Sequence, residues 1–323
     1  MRVIKPAKVA DSTLGATNVP ENDEVEWDST TTYNTGDRVM VTDPGVHRRY
    51  ESLIDNNTSN FPPDNVDGDT PFWLDLGPTN RWAPFDEKIG TQVSSAVAYD
   101  FVTYSVETKP SSPAGVAYTL NVESPIGAIA FFELDGRFID LQVETSGQGV
   151  VFAERVPLIE VISEPGWFPY FFEPIIRKRE AAIFRIPRTL SADSATVKVA
   201  VEGGGGDAKI GALVIGDPID LAFATFGVST GILDFSRKER DEFGNAIVVR
   251  REFARTLDAD FEVQRDKAPF MQRTIGELRG LPVVWEASET DTTTLVYGFT
   301  RDFDISIQFV DWATGRLEIE GLT

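Results

Sequence analysis

The sequence contains no cysteine and only one histidine, His47. It therefore cannot form disulfide bonds or thiolate metal sites, and it lacks the imidazoles that multi-histidine metal sites require. No apolar run approaches the roughly 20 residues that cross a bilayer, and the first ten residues lack the apolar core of a secretory signal. We expect a chain made in the cytoplasm, with no membrane insertion, no metal site and no cofactor.

Basic residues are scarce relative to acidic ones. The chain has 30 Lys and Arg against 51 Asp and Glu, which gives a formal net charge of −21. Such a surface repels nucleic-acid phosphates and anionic lipid, so neither is expected as a partner. The 41% hydrophobic content is typical of a folded protein. A length of 323 residues favours two or three domains over a single core.

Helical periodicity is also rare, and alternation of apolar and polar residues dominates. Between residues 88 and 222 three runs place apolar side chains on one face: Val116, Tyr118, Leu120 and Val122; Ile139, Leu141 and Val143; Val197, Val199 and Val201. A period of two indicates strands packed on one side of a sheet. Several such strands in about 130 residues predict a β-sandwich or jelly roll.

The last hundred residues continue the alternation, with one exception. Apolar residues again alternate in two runs, Phe303, Ile305, Ile307 and Phe309, then Leu317 and Ile319. Residues 268–279 instead combine Pro269 near the start with helical spacing of Met271, Ile275 and Leu278. The chain is therefore predicted to be all-β and multi-domain, with one short helix.

Four segments follow from these patterns. Residues 1–25 are polar and contain proline, which predicts an extended arm. Residues 26–87 form a small aromatic β module, and residues 88–222 the β-sandwich domain. Residues 223–323 form a β-rich C-terminal domain that carries the helix near 268–279.

Aromatic residues are concentrated in the small module. They include Trp27, Tyr33, Tyr50, Phe72, Trp73, Trp82 and Phe85, which fall within about sixty residues. Aromatic rings stack on the C–H faces of sugars, so an exposed set could form a glycan platform. A small domain also needs large side chains to fill its interior, and that alternative stays open. If the module exposes its rings, the candidate ligand-binding residues are Trp27, Tyr33, Tyr50 and Trp73.

No motif predicts catalysis. The string 227–231 matches the nucleophile-elbow pattern around Ser229, but no helix is expected after it and His47 lies upstream. His47, followed by two arginines, is interpreted as a surface residue. A glycosidase needs only two carboxylates, yet among 51 acidic residues no pair stands out. We therefore predict no catalytic residue and no enzyme.

The spacing of the aromatic residues resembles a known module. Trp27, Tyr33, Gly36, Asp37 and Val39 follow the pattern W-x₅-Y-x₂-G-D-x-V, with a tyrosine and a tryptophan further along. This resembles the small chitin-binding carbohydrate modules of chitinases. The resemblance implies a turn at the Gly-Asp pair and aromatic rings divided between core and sugar platform. The loop before Tyr50 and the acidic stretch 64–70 depart from that pattern.

Other segments resemble tail proteins of siphophages and Mu-like phages. They are residues 78–86 (PTNRWAPFD), 233–245 (LDFSRKERDEFGN), 272–288 (QRTIGELRGLPVVWEAS) and 297–323, which ends in LEIEGLT. The resemblance implies a virion structural protein of a bacteriophage tail tip or baseplate. Its expected partners are other tail proteins, further copies of itself and host surface polysaccharide. The alternatives are a glycan-binding adhesion protein and a polysaccharide-degrading glycosidase.

Overall fold

The computed structural model of the chain describes residues 1–42, 45–99, 113–123, 125–159, 179–186, 194–225, 227–240, 242–307 and 309–323. Strands make up 51% and helices 7% of this part of the chain. The all-β class predicted from the alternation is therefore confirmed. No helix within these residues is both long enough and apolar enough to traverse a bilayer.

The N-terminal residues and the small module contain eight short strands. Residues 1–25 hold β1 (Arg2–Ile4), β2 (Leu14–Thr17) and the start of β3 (Val25–Glu26). The module continues with β4 (Thr32–Tyr33), β5 (Arg38–Val41), β6 (Arg48–Ser52), β7 (Asn57–Thr58) and β8 (Trp73–Pro78). Its main sheet has the order β3-β5-β6-β8, and β4 pairs with β7.

The central part of the chain forms longer strands. They are β9 (Val93–Ser95), β10 (Gly115–Val122), β11 (Ala128–Phe132), β12 (Phe138–Thr145), β13 (Gly149–Pro157), β14 (Ala182–Arg185), β15 (Ala195–Glu202), β16 (Ala208–Ile210), β17 (Ala212–Gly216) and β18 (Pro218–Asp220). A five-stranded sheet has the order β13-β12-β15-β10-β2, and a three-stranded sheet has the order β14-β11-β17.

These two sheets pack face to face as a β-sandwich-like unit. Their shared core contains the predicted faces of β10, β12 and β15 together with Ile129, Phe131 and Phe184 from the smaller sheet. Alternate residues of β11 point the other way, so Ala128, Ala130 and Phe132 belong to a second core. The three-stranded sheet is thus buried on both faces, which explains why β11 is apolar at every position.

The C-terminal part completes the fold. It contains β19 (Phe223–Ala224), β20 (Ser229–Asp234), β21 (Arg237–Arg240), β22 (Ala246–Val249), β23 (Phe253–Gln264), α1 (Ala268–Leu278), β24 (Val283–Glu286), β25 (Leu295–Ser306) and β26 (Trp312–Gly321). An eight-stranded sheet has the order β18-β1-β24-β25-β26-β23-β19, with β20 also paired to β23. It therefore takes β1 and β18 from outside residues 223–323.

The first strand of the chain lies inside this large sheet. β1 pairs antiparallel with both β18 and β24, and Val3 lies opposite Trp285. Val3 and Ile4 are fully buried on opposite faces, Val3 toward the layer of α1 and Ile4 toward the three-stranded sheet. This part of the N-terminal segment is consequently not a free surface for a partner.

The helix and the turn between β25 and β26 bear on two predictions made from local patterns. The predicted helix is confirmed as α1, with Met271, Ile275 and Leu278 buried against the large sheet. The predicted strand through Phe309 is too long, because β25 ends at Ser306 and the chain turns back before β26. Ile307, at the start of this turn, is exposed and not packed in the core.

Candidate functional site

Three of the four predicted platform residues lie inside the small module. Tyr33, Tyr50 and Trp73 are 9%, 4% and 1% exposed and form its core together with Val39 and Val41. The rings of Tyr33 and Trp73 meet edge to face, with centroids 5.4 Å apart. In this position none of the three can offer a ring face to a ligand, because all three side chains are buried in the core.

Trp27 is the member of the set that reaches the surface. It is half-buried and packs edge-on against Phe61 with a centroid distance of 5.2 Å. Nearby, the Asp28 amide donates to the Tyr33 hydroxyl over 2.8 Å. An aromatic ring beside polar backbone and carboxylate groups is the combination that sugar binding uses. Trp27 is therefore the residue of the predicted platform that remains available.

The Gly-Asp pair forms a tight turn between β4 and β5. Gly36 has a positive φ of 90°, which a glycine adopts without steric cost. The Asp37 carboxylate accepts a 2.7 Å hydrogen bond from the Asn34 amide, and the Asp37 amide donates to the Asn34 carbonyl. This turn sets the register of β5 against β6, which places Val39 opposite Tyr50.

The interpretation of His47 as a surface residue is wrong. Its side chain is buried, with Nδ1 2.7 Å from the Glu21 carboxylate. Nε2 lies 3.0 Å from Asp11, at an angle unsuited to a hydrogen bond. Glu21 also accepts from the Thr79 hydroxyl at 2.9 Å and from Arg81 at 3.0 Å. This cluster fixes the N-terminal segment to the module, and the sequence hid it because its members are far apart along the chain.

The segment 78–86 joins the module to the β-sandwich. The Asn80 side chain accepts from the Ser94 amide at 2.9 Å and donates to the Ser94 carbonyl at 3.0 Å, as a paired strand residue would. The Tyr118 hydroxyl donates to the Arg81 carbonyl at 2.7 Å. These contacts give the first of the phage-like segments a structural role in positioning the module.

The carboxylates that could suggest catalysis have structural partners. Asp140 and Glu202 are buried and both pair with Arg155, at 2.9 and 2.6 Å. Ser229 begins the exposed strand β20, and the next element is β21, so the strand-turn-helix context of a nucleophile elbow is not met. Across the described ranges, no group of three or more acidic, histidine or cysteine side chains is arranged to hold a metal ion.

A protruding hairpin is the feature that the sequence patterns did not reveal. It comprises residues 229–253, that is β20, β21, β22 and the first residue of β23. At its base β20 pairs with residues 253–258 of β23, and beyond that β21 pairs with β22. None of its described residues is buried. Phe243, in the turn, is 90% exposed, and Ile247, Val248 and Val249 are also exposed. The hairpin, as this segment is called below, therefore carries a set of apolar side chains away from the body of the molecule.

A second exposed apolar group lies at the turn between β25 and β26. Ile307, Phe309 and Val310 are exposed there, and Trp312 is partly so. We refer to residues 307–312 as the apolar turn. The alternation of apolar residues predicted a packed strand here. Alternation shows which side chains share one face of a strand, but it does not show whether another element covers that face.

Neither family models nor curated proteins provide a relative of this chain. No family model matches it, and no curated protein is significantly similar to it. The surfaces described above and the resemblances in the sequence are therefore the features that bear on its function.

Proposed function

We propose that this chain is a virion structural protein of a bacteriophage tail tip or baseplate that assembles with copies of itself and with other tail proteins. The observation that carries the proposal is the apolar surface of the hairpin. Monomeric soluble proteins rarely expose contiguous apolar patches of large size, and such patches mark sites of protein association. Exposed strands add unpaired backbone groups that a partner strand can use.

The positions of the phage-like segments support this role. Residues 233–245 form half of the hairpin, and residues 297–323 include the apolar turn. The other two segments lie at the junction before the β-sandwich and along α1 and β24. Two of the four resemblances thus coincide with the most exposed apolar surfaces of the molecule, where an assembling protein would make its contacts.

Gold-labelled antibody electron microscopy on particles from a lysate is the direct test. We expect label at the distal end of the tail, and the chain among the proteins of gradient-purified particles by mass spectrometry. Antibody absorbed beforehand with the purified chain is the control for specific labelling. A chain that stays in the soluble lysate and is absent from purified particles would refute the virion role.

Host surface polysaccharide is proposed as a further partner, supported by the module resemblance and by the position of Trp27. Binding of the purified chain to host envelope polysaccharide would be compared for wild type and Trp27→Ala. We expect Trp27→Ala to lose binding while the module stays folded, with amide protection that is reduced but far above that of Trp73→Ala. Binding that survives this substitution would remove Trp27 from the site. Release of reducing ends during long incubation would favour the glycosidase alternative.

A further inference from the structure

We propose that the hairpin of one copy docks on an acidic face of the eight-stranded sheet in a second copy. The inference rests on the proposed function only in expecting the contact to recur around a tail axis. The docking itself follows from the charges and exposure of two surfaces that the chain carries at different places.

The hairpin is neutral although the chain is acidic. Residues 229–253 contain five Lys and Arg and five Asp and Glu, in a chain whose net charge is −21. Arg237 and Lys238 pair within the hairpin with Glu239 and Asp234, so its positive charge toward a partner comes mainly from Arg250 and Arg251. Arg250 and Arg251 are exposed at the base of β22, beside the apolar residues of that strand. A surface that combines positive charge with exposed apolar groups fits a partner that is acidic and partly apolar.

The complementary surface is the outer face of β23, β25 and β26. Residues directly opposite on paired strands share a face, and Glu318 of β26 lies between Asp258 of β23 and Asp302 of β25. In the next row Arg316 lies between Asp260 and Asp304. We call this surface the acidic face; its carboxylates are Asp258, Asp260, Glu262, Asp302, Asp304, Glu318 and Glu320.

The acidic face carries more negative charge than its own cation balances. Arg316 contacts Glu318 at 3.2 Å and Asp258 at 3.8 Å, yet the row from Asp258 to Asp302 has three carboxylates side by side. Like charges directly opposite on neighbouring strands are unfavourable. A cationic partner would relieve that repulsion, which gives the face a preference for basic ligands.

The opposite side of these strands is already occupied. Leu257, Phe261 and Leu317 point toward α1 and are buried in the core there. The acidic face instead borders a groove of about 420 Å³ lined by Asp260, Glu262 and Arg316, and the apolar turn continues from the same strands. Charged and apolar groups therefore adjoin on the receiving surface as they do on the hairpin.

A second copy of the chain carries both surfaces, a hairpin that can dock and an acidic face that can receive one. The hairpin and the acidic face are different surfaces, so the contact is head-to-tail, and a pair of copies keeps one free hairpin and one free acidic face. Repetition of such a contact closes into a ring when the rotation allows it. A pairing of two hairpins with each other would instead leave the acidic face without a role.

The test uses charge reversal on each surface in the full chain. The hairpin variant carries Arg250→Glu and Arg251→Glu, and the face variant carries Asp260→Lys and Glu262→Lys. These four side chains are exposed, and the reversals leave the contacts of Arg316 with Asp258 and Glu318 in place.

Two control variants make the same charge changes elsewhere. Arg273→Glu with Arg279→Glu alters exposed residues at α1, and Asp67→Lys with Asp69→Lys alters the acidic loop of the module. Association would be followed by sedimentation velocity and light scattering over a range of protein and salt concentrations, and circular dichroism would confirm that each variant is folded.

We expect wild type and both controls to self-associate, more weakly at high salt. The hairpin and face variants should each associate at least about tenfold more weakly, the smallest effect usual for close interfacial charge pairs. Mixing the two variants should restore assembly, because one junction is then native and the other is its charge-swapped equivalent.

Three results would overturn the docking. They are a wild-type chain that stays monomeric at every concentration, a face variant that assembles like wild type, and a mixture that does not regain association. Each is distinguishable from failure of the proposed function. Particles can contain a chain that does not self-associate in this way, and a chain that self-associates can be absent from particles.

Discussion

Replacing Trp73 with alanine should unfold the small module. The indole is 1% exposed, meets Tyr33 edge to face and donates to the Asn60 carbonyl at 2.9 Å. Removing a buried tryptophan costs about 3–5 kcal/mol, and the carbonyl that loses its donor adds about 1 kcal/mol. A module of about sixty residues buries too little surface to tolerate such a loss easily.

The measurement is amide hydrogen exchange of residues 26–87 in the full chain, together with urea unfolding followed by fluorescence. Trp27→Ala is the matched control, because the same residue type is half-buried there and should cost roughly half as much. Unchanged protection in Trp73→Ala, with a loss under about 1 kcal/mol, would refute the assignment of Trp73 to the core. Loss of glycan binding in this variant would therefore report unfolding and not a missing sugar contact.

Two further predictions concern buried polar groups. Replacing Arg155 with alanine removes the cation that pairs with the buried carboxylates Asp140 and Glu202. This should lower the free energy of unfolding, measured in urea, by about 3–5 kcal/mol. An effect no larger than that of the control Arg137→Ala would contradict the prediction. Burial raises the pKa of three tyrosines in the part of the chain that the structure describes, Tyr99, Tyr118 and Tyr297. Because these hydroxyls ionise near pH 10 in the unfolded chain, the stability they contribute is present below about pH 10 and falls above it. In an alkaline titration their tyrosinate absorbance should appear only as circular dichroism is lost, and ionisation in the folded chain would disprove the burial argument.

Local patterns in the sequence specified the strands and the helix well. The alternation from Val116 to Val122 and the helical spacing of Met271, Ile275 and Leu278 each place their apolar side chains in a core. Both patterns involve residues only a few positions apart along the chain, so they can be recognised in a single sequence. The pairing of Ile4 with Val284 leaves no local trace, because any extended apolar segment could fill that place in the sheet.

The candidate site was harder to predict for a different reason. Core packing and sugar stacking use the same aromatic residue types, so composition could not divide Trp27 from Tyr33, Tyr50 and Trp73. The acidic face was equally hidden, because Asp258, Asp302 and Glu318 become neighbours only when three strands align. Counting charged residues yields the net charge of the chain but not the distribution of that charge over the surface.

The position of β1 has a consequence for how the chain folds during synthesis. Its residues leave the ribosome first, yet their partner strand β24 is made about 280 residues later. At about 5–20 residues per second, the ribosome needs roughly 15 to 55 seconds to produce that partner. During this interval β1 can pair only with β18, which is made before β24, and the module and much of the β-sandwich can fold before the large sheet closes. Closure of the eight-stranded sheet is thus a late event, because it joins the residues that are synthesised first to residues that are synthesised near the end.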